Sequence, residues 1–540
     1  ALAIERGRIV AVGKEEEILP LAGTGTRVFN LQGHTLVPGF NDCHMHILPY
    51  GLDLAQADLS PAAGVTNVPQ LIAALRQWAD SNPHSEWILG SRYDQNIFPG
   101  AAHPTRTDLD AAISDRPVYI VQTSKHAGVA NSAALKLAGI SRNTPDPKGG
   151  QIVRNADGEP TGVLLESAMS LVARHIPKPH KAGMIDAIRQ ANKALVRVGI
   201  TAASDLNTGW LDLEAEIAAY RQAAEEGMPV RMTLCPHAPK CGAPKDIPDR
   251  AAFAADFGLD EARQSRIRLG PLKLFSDGAL TVRTAALREP YADGSGSGML
   301  LHEPEVLQDY ILAGHQRGWQ MAVHAIGDRA IEQVLDCYAK ASILTSNPSP
   351  SQGEGYRGWG GRASRHRIEH AMLLDGPLIQ RFAEQQVIPV VQPEFLARLG
   401  DAYVLGLGPE RAARINPTAS LQRAGVGVAF SSDCPIVPGA PLEGIRAAAR
   451  RTTRSGQVLG PEECICPLDG LRNYTYWAAY STFDEGEVGT IEPGKRADLT
   501  ILDFGFPIWE CGLTIEVLDA VRVVATIIAG KTVYGEEELG

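Results

Sequence analysis

The sequence has few of the features that mark disulfide-rich or membrane proteins. Only 8 of its 540 residues are cysteines, and Cys464 and Cys466 are the only closely spaced pair. This spacing fits neither a zinc knuckle nor a disulfide framework, so a reducing, cytoplasmic setting is expected. No apolar stretch approaches the roughly 18 residues needed to span a bilayer. We therefore expect no membrane partner.

Basic clusters are also absent, since no run of five or more Lys and Arg residues occurs. The 51 basic and 62 acidic residues give a formal net charge of −11, and the pI is near 5.7. A nucleic-acid-binding surface normally requires a basic patch, so a nucleic-acid partner is excluded. Hydrophobic residues make up 44% and charged residues 21%, which is ordinary for a globular protein and argues against disorder or a coiled coil.

Both ends of the chain have the pattern of antiparallel strands. Short apolar runs separated by glycines lie at residues 9–12, 27–29 and 34–37. Residues 498–502 and 521–533 show the same pattern of short apolar runs. Because neither end can bury a sheet face alone, we predict one shared β-sandwich domain formed by residues 1–39 and 485–540. The strand pattern starts directly after Ala1, so an upstream segment is expected, and a targeting peptide there stays open.

The middle of the chain alternates short apolar runs with longer helical patterns. The runs lie at residues 35–41, 199–205, 229–237, 269–277, 319–328, 367–370, 387–395 and 426–433. Each run ends in polar or ionisable residues and is followed by a helical pattern, such as residues 329–340. This alternation predicts an α/β fold, a (β/α)8 barrel formed by residues 40–54 and 191–484.

The barrel does not account for the whole middle segment. A plain barrel needs about 250 residues, whereas roughly 440 lie between the two terminal segments. We assign the surplus to residues 55–190, which have their own strand and helix patterns and are predicted to form an insertion domain over the active site. Residues 346–364 are rich in Ser, Gly and Pro and are predicted to be a mobile loop.

Two histidines, His44 and His46, follow the first predicted barrel strand. Alternation along a strand directs both imidazoles to the same side, where they can bind one ion. Alone, this pair is better explained by two solvated or hydrogen-bonded histidines. Three further ionisable residues, His324, His370 and Asp433, end other predicted strands. Because the carboxyl ends of barrel strands meet on one face, the five residues together predict a metal site.

Lys273 lies within an apolar strand, between Leu272 and Leu274. A buried lysine carries a desolvation penalty unless it is neutralised or paired. One interpretation is an ion pair with a carboxylate such as Asp277. The other, which we favour, is reaction with carbon dioxide to give a carbamate that bridges two cations. The remaining ligands are neutral or singly charged, so two divalent ions need a further anion.

Seven ordered motifs extend this interpretation: PGFNDCHMH, KLFSDGALTVRTAAL, HAIGD, HRIEH, QPEF, FSSDCP and VGTIEPGKRADLTILD. Together they resemble the metal-dependent amidohydrolase superfamily, and more narrowly its family 3 branch, whose members include a formamide deformylase. The resemblance runs essentially from end to end of the chain. It implies a metal-bearing barrel, a terminal β-sandwich and an insertion domain over the site.

The resemblance also implies a set of ligands at the matching positions. His44, His46, Lys273 and Asp433 would bind one metal, and Lys273, His324 and His370 would bind the other. The expected cofactor is a pair of divalent ions, with zinc as the expected metal. Cys43 and Cys434 each adjoin a ligand, and because adjacent side chains alternate in direction, both are expected to be structural.

The expected reaction is hydrolysis of a carbon–nitrogen bond in a small-molecule amide or N-substituted formamide. Two cations about 3.5–4 Å apart would share a water and lower its pKa toward 7. Asp433 is expected to take the proton of this water and pass it to the leaving amine. Substrate contacts are expected from His126, Asp277 and Arg283. Glu369 is expected to point away from His370 and to form a structural ion pair.

Two other functions stay open at this point. A deaminase with one metal uses a similar set of histidines and an aspartate on this barrel, although a bridging carbamate on Lys273 would have no purpose there. A non-catalytic scaffold on the same barrel is disfavoured, because all six expected ligands are present. A homodimer is also left open.

Overall fold

The computed structural model describes residues 1–259, 266–346, 364–504 and 514–538. Residues 347–363 of the predicted mobile loop lie outside these ranges. Within them, every helix is too short or too polar to cross a membrane.

The strands of the described residues form five sheets. In chain order they are β1 Leu2–Glu5, β2 Arg8–Val12, β3 Thr35–Pro38, β4 Phe40–Met45, β5 Ala57–Asp58, β6 Ile88–Tyr93, β7 Val118–Gln122, β8 Ala127–Ala130, β9 Gly150–Arg154, β10 Pro160–Glu166, β11 Ile200–Thr208, β12 Arg231–Pro236, β13 Ile267–Leu269, β14 Leu272–Phe275, β15 Met321–Ala325, β16 Arg367–His370, β17 Ile388–Val391, β18 Ala429–Phe430, β19 Leu499–Asp503, β20 Arg522–Ile528 and β21 Lys531–Tyr534.

Helices follow most barrel strands, and several begin at a capping residue, such as Asn67, Asp212 and Asp375, whose side chain accepts a backbone N–H. The helices are α1 Glu15–Ile18, α2 Ile47–Asp53, α3 Val68–Ser81, α4 Arg106–Ala112, α5 Ser132–Leu137, α6 Ser170–Ala173, α7 Lys181–Arg197, α8 Leu213–Glu225, α9 Ala238–Cys241, α10 Arg250–Asp256, α11 Pro304–Gln316, α12 Asp328–Ser346, α13 Gly376–Gln385, α14 Glu394–Leu407, α15 Pro409–Ala412, α16 Thr418–Arg423, α17 Pro441–Arg450, α18 Pro467–Arg472, α19 Ala478–Tyr480 and α20 Ile515–Ala520.

Two parallel sheets make a barrel of the TIM type. Their strand orders are β13-β12-β11-β4 and β14-β15-β16-β17-β18. β13 and β14 are halves of one broken strand, since only Gly270 and Pro271 separate them and His237, after β12, pairs with Lys273 of β14. Pro271 has no N–H to donate, which explains the interruption. With β13 and β14 taken as one, the strands follow each other around the barrel in the order in which the apolar runs occur in the sequence.

The first apolar run, residues 35–41, belongs to two sheets rather than one. β3 pairs antiparallel with β19, whereas β4 begins at Phe40 and pairs parallel with β11. The change of sheet occurs at Gly39, whose N–H donates to Asp498 O over 2.9 Å. A Cβ at Gly39 would lie 2.2 Å from Thr201 Oγ1, so the close approach requires glycine. An apolar run does not reveal where a chain leaves one sheet for another.

Strands from both ends of the chain pair in one antiparallel sheet of order β21-β20-β19-β3. Thr500 of β19 lies opposite Val37 of β3 on one side and Thr526 of β20 on the other. The β1–β2 ribbon attaches nearby through Ile9, whose N–H donates to Lys495 O over 2.9 Å and whose side chain is buried. Both ends thus contribute to one sheet. A separate sandwich domain with the predicted bounds stays a prediction.

Residues 57–166 contain a mixed sheet of order β5-β6-β7-β8-β10-β9. Its core includes Leu71 and Leu75 of α3 and Leu109 of α4, all fully buried. The end of β10 reaches the barrel, where Glu166 accepts a hydrogen bond from Thr284. That residues 55–190 form an insertion domain stays a prediction, and this contact places the end of β10 beside the loop after β14.

Candidate metal centre

Two adjoining barrel strands, β4 and β18, bring three potential metal ligands together. His44 lies near the end of β4, His46 directly follows that strand, and Asp433 follows β18. Asp433 N–H donates to His44 O over 2.8 Å, which fixes the two segments side by side. Asp433 Oδ1 lies 3.3 Å from His44 Nε2 and 3.0 Å from His46 Nε2. One ion can be held by these three residues, whose ligand atoms all lie within 4.8 Å of one another.

The opposite edge of the His44 ring is held by Glu369. Nδ1 of His44 lies 2.6 Å from Glu369 Oε2, and Arg367 Nε donates to Glu369 Oε1 over 2.8 Å. Burial raises the pKa of Glu369, but Arg367 and His44 outweigh this effect and hold the pKa well below its usual range. An ionised carboxylate only accepts, so His44 donates from Nδ1 and keeps a lone pair on Nε2. The expected ion pair of Glu369 is present, whereas its contact with His44 was not predicted.

The facing atoms of His44 and Asp433 fit a cation. His44 Nε2 and Asp433 Oδ1 are buried, and neither has a hydrogen-bonding partner among the described residues. Burial raises the pKa of Asp433, but His44 and His46 hold it well below its usual value. Two acceptors therefore face each other at 3.3 Å, which is costly in a buried site unless His46 Nε2, 3.0 Å from Asp433 Oδ1, donates to the carboxylate or an ion binds between them. Two imidazole nitrogens and a carboxylate oxygen suit zinc and related divalent metals.

His324 and His370 lie beside these residues, in β15 and at the end of β16. The ring centre of His370 is 4.9 Å from that of His44 and 4.4 Å from that of His324. His370 Nδ1 lies 2.7 Å from Gln392 Oε1, and His324 Nε2 lies 3.0 Å from Gly278 O. Burial lowers the pKa of both imidazoles, to about 3 for His370. Each neutral ring thus donates from one nitrogen and keeps a lone pair on the other.

Lys273 of β14 is fully buried. Its Nζ has no hydrogen-bonding partner in the described part of the chain and lies 4.6 Å from the centre of the Phe275 ring. Burial lowers the pKa of Lys273 to about 8, against the opposing effect of Glu369 and Asp433. The described residues show no ion pair between Lys273 and Asp277, because three backbone N–H groups occupy the Asp277 carboxylate. Lys273 is therefore a buried amine that gives up its proton more readily than an ordinary lysine.

The backbone holds two of these residues in a rarely adopted conformation. φ is 59° at Asp433 and 75° at His370, in the left-handed region that residues other than glycine seldom occupy. Each such residue costs about 1–3 kcal/mol and persists only where surrounding contacts enforce it. Here the contacts are the bond from Asp433 N–H to His44 O and the side-chain bond between His370 and Gln392. Strain of this kind is concentrated at functional sites.

A cavity adjoins the metal centre and contains about 320 Å³ of empty space, part of it continuous with solvent. Its ionisable lining residues are His126, His324, His370, Tyr403 and Asp433, and its neutral polar ones are Ser124 and Thr281. The remaining lining is apolar, formed by Ala279, Leu280, Ile326, Met372, Phe395, Leu399 and Ile436. The cavity therefore combines the proposed metal ligands with a hydrophobic surface, as small-molecule sites commonly do.

His126 is the predicted substrate contact that lines this cavity. Its Nδ1 lies 2.8 Å from Glu166 Oε2, and its ring centre is 5.7 Å from that of His324. The pKa of His126 is raised above its usual value, because the carboxylate of Glu166 outweighs the opposing effect of burial. Gly278 allows the close approach of Glu166, because a Cβ there would lie 2.4 Å from Glu166 Oε1. Glu166 was not predicted, because it lies in the segment assigned to the insertion domain and outside the seven ordered motifs.

Asp277 and Arg283 do not line the cavity. Asp277 is fully buried, and its carboxylate accepts three backbone N–H groups from the loops that follow β14 and β15. Arg283 Nε donates to Asp293 over 2.6 Å. Both residues organise the loop after β14. That they contact substrate stays a prediction.

The fold and the site define a class of protein, the metal-dependent hydrolases built on a TIM-type barrel. The chain belongs to the amidohydrolase family, whose model matches residues 27–534, which confirms the family inferred from the motifs. It is 32% identical to the amidohydrolase YtcJ of Bacillus subtilis over 542 residues, 99% of this chain and 96% of that protein.

Two further comparisons agree with this assignment. Identity is 29% over 520 residues with an N-substituted formamide deformylase of Arthrobacter pascens, covering 93% of this chain and 90% of that protein. Among solved structures, a metal-dependent hydrolase of Pyrococcus horikoshii is similar, with a TM-score of 0.70, 26% identity and coverage of 93% of each chain.

Proposed function

We propose that the protein hydrolyses a carbon–nitrogen bond in an amide, with divalent metal ions held at the mouth of the barrel. The observation that carries this proposal is the pair of facing acceptors, His44 Nε2 and Asp433 Oδ1, both buried and without a partner among the described residues. The similarity to a formamide deformylase supports an amide substrate, and the proposal extends to N-substituted formamides.

The proposed ligands form two groups that share one residue. His44, His46 and Asp433 would hold one ion, His324 and His370 the other, and Lys273 would bridge them. For this role the neutral amine of Lys273 attacks carbon dioxide, forms a nitrogen–carbon bond and releases one proton to water, which leaves an anionic carbamate. The lowered pKa of Lys273, about 8, supports this step because it raises the fraction of neutral amine. Two zinc ions are the proposed cofactor.

When bound, such ions supply hydroxide from water near neutral pH and polarise the substrate carbonyl. Asp433 is proposed to accept a proton from the attacking water and to return it to the leaving amine. Glu369 keeps His44 in the tautomer whose Nε2 is available as a ligand. His126, held by Glu166, is proposed to hydrogen-bond the amide, and the apolar lining limits the access of bulk water.

Metal counting combined with an activity screen tests this proposal. The protein is stripped with a chelator and reloaded with zinc, and the zinc content is measured by mass spectrometry. We expect about two equivalents per chain and release of amine from a panel of N-formyl and N-acyl amides. One equivalent, with ammonia released from amino-substituted heterocycles, would favour the mononuclear deaminase. Two equivalents without hydrolysis of any amide would contradict the proposal. The homodimer and the cytoplasmic location stay predictions.

A further inference from the structure

A second cavity lies at the opposite end of the barrel from the metal centre. It contains about 1160 Å³ of empty space, part of it open to solvent. Pro38, just before β4, and Trp477, beside the start of β18, both line it. A Cβ at Gly427 would lie 2.2 Å from the Trp477 ring, so the indole packs directly on the residues that precede β18. Because the proposed metal ligands lie at the carboxyl ends of β4 and β18, this cavity is separate from their site.

The helix that forms one wall of the second cavity contains a rare turn. Between α18 and α19, residues Asn473–Trp477 adopt a π-helical turn. Such turns are uncommon and occur frequently at functional sites. Here Tyr474 stays in the core, 1% exposed, while the next three residues, Thr475, Tyr476 and Trp477, line the cavity. The unusual backbone thus coincides with the wall of the cavity.

The walls of the second cavity are mainly apolar. They are formed by Val37, Pro38, Leu468, Leu471, Trp477 and Ile491. Leu468 is 60% exposed, so part of this apolar surface is open to solvent. The rings of Tyr476 and Trp477 meet edge to face, with their centres 5.1 Å apart. An aromatic ligand can continue this edge-to-face packing, so the walls favour an aromatic body.

The polar groups of the second cavity favour an anion. Thr475 donates its hydroxyl to Leu471 O over 2.8 Å, and Thr490 accepts a hydrogen bond from Lys495, so both hydroxyls are already bonded. Arg472 is the one charged residue in the described part of the lining, and it is exposed. No carboxylate in the described part of the chain pairs with its guanidinium. A guanidinium suits a carboxylate, which it binds through two parallel hydrogen bonds.

We propose that the second cavity binds a small carboxylate with an aromatic body. Arg472 pairs with the carboxylate, and the apolar walls take up the aromatic ring, whose transfer from water supplies most of the binding free energy. This ligand is distinct from the amide substrate, because the metal centre lies at the other end of the barrel strands. The second cavity therefore binds its ligand whether or not the protein hydrolyses amides.

Two compounds that differ in their polar end test the proposal: 4-phenylbutyrate and the uncharged alcohol 4-phenyl-1-butanol. Binding of each to the zinc-loaded protein is measured by calorimetry. We expect one 4-phenylbutyrate per chain, with a dissociation constant of about 0.1–1 mM. The alcohol should bind at least about 10-fold more weakly, because it cannot form the charge-assisted pair with Arg472. Equal binding of the two compounds, or no saturable binding of 4-phenylbutyrate, would overturn the proposal.

Arg472→Gln and Arg197→Gln form a matched pair of variants. Both arginines are exposed in the last turn of a helix, but Arg197, on α7, lies outside the lining. We expect Arg472→Gln to bind 4-phenylbutyrate about 10-fold more weakly and the alcohol as wild type does, whereas Arg197→Gln should match wild type for both. Thermal midpoint and zinc content verify that both variants are folded. Wild-type affinity for 4-phenylbutyrate in Arg472→Gln would refute the assigned contact.

Two other occupants of the binding data are separated by further measurements. A carboxylate that binds zinc instead would bind Arg472→Gln like wild type and would be lost when the metal is removed. A second copy of the chain covering Leu468 would give a dimer in gel filtration that Leu468→Glu dissociates, and neither compound would bind wild type. Either result would overturn the proposal. Binding that survives removal of zinc and weakens in Arg472→Gln would support it.

Discussion

Nδ1 of His44 lies 2.6 Å from Oε2 of Glu369, although 325 positions separate the two residues in the sequence. The same carboxylate is held by Arg367, and all three side chains are buried. Because His44 donates the proton on Nδ1 to Glu369, its other nitrogen, Nε2, is an acceptor that faces Asp433. The buried ion pair therefore determines whether His44 can act as a metal ligand.

Glu369→Gln tests this relationship. Glutamine keeps the size of the side chain but removes its charge, so His44 loses its anionic acceptor. We expect zinc affinity to fall about 10- to 100-fold, as is usual when a residue supporting a metal ligand is changed. Zinc titration against a competing chelator measures the effect. Glu492→Gln, at a side chain that is 59% exposed, is the control. Unchanged zinc affinity in Glu369→Gln would refute the supporting role.

Asp433→Ala and His44→Ala test the centre itself. Both remove a proposed metal ligand at the mouth of the barrel, where residues contribute mainly to chemistry rather than to stability. We expect turnover to fall at least about 1,000-fold, with little change in the thermal midpoint. Asp186→Ala, at a side chain that is 71% exposed on α7, should be active. If Asp433→Ala keeps its zinc and more than a few per cent of turnover, the proton-transfer role of Asp433 is wrong.

Lys273 decides between one metal and two. Lys273→Ala should lose most activity and at least one zinc, and short-chain carboxylic acids should restore part of both by filling the vacated space. Lys273→Arg keeps a positive charge but cannot form a carbamate, so it should be as inactive as the alanine variant. Lys136→Ala, at an exposed position, serves as control. Two zinc ions and wild-type turnover in Lys273→Arg would exclude the carbamate.

Bicarbonate dependence provides a separate check on Lys273. Reloading the metal-free protein with zinc in buffer freed of carbon dioxide should give slow and incomplete activation, because the carbamate carbon is missing. Added bicarbonate should then restore activity, as followed by the rate of amine release. Activation that is indifferent to bicarbonate would count against the carbamate.

Glu166→Gln tests the support of His126. The amide can still bond the imidazole, but it no longer offers a charged acceptor, so His126 should be held less firmly. We expect kcat/KM to fall about 10-fold while zinc content stays unchanged. A purely structural role for Glu166 would instead lower the thermal midpoint with little effect on KM or kcat. His126→Ala should match or exceed the kinetic effect, and a fully active His126→Ala would remove this residue from the substrate site.

A pair of neighbouring residues on β2 tests the contribution of the amino-terminal ribbon. Ile9 is 1% exposed and packs against Ala497 and Leu499 near the other end of the chain, whereas Val10 is 47% exposed. We expect Ile9→Ala to lower the free energy of unfolding by about 2 kcal/mol, and Val10→Ala to change it much less. Thermal and urea unfolding measure the difference. Equal effects would show that the ribbon adds little to the stability of the other end.

The sequence by itself determined the features that depend on short-range order. Apolar runs bounded by polar residues predicted the barrel strands, because runs of four to eight residues suit buried strands whereas helices usually need ten or more residues. The alternation of strand side chains placed His44 and His46 on one side, and the position of His324, His370 and Asp433 at strand ends predicted that they would meet. The ordered motifs identified the family, which the family model confirmed.

Only the tertiary structure decided which groups face each other and which are already satisfied. Asp277 and His126 are both polar residues near strand ends, yet Asp277 is saturated by backbone N–H groups whereas His126 lines the cavity. Glu369 and Glu166 gained their roles from partners 325 and 40 residues away. Such pairings follow from strand register and loop path, which arise from packing of the whole chain. No local pattern of residues encodes them.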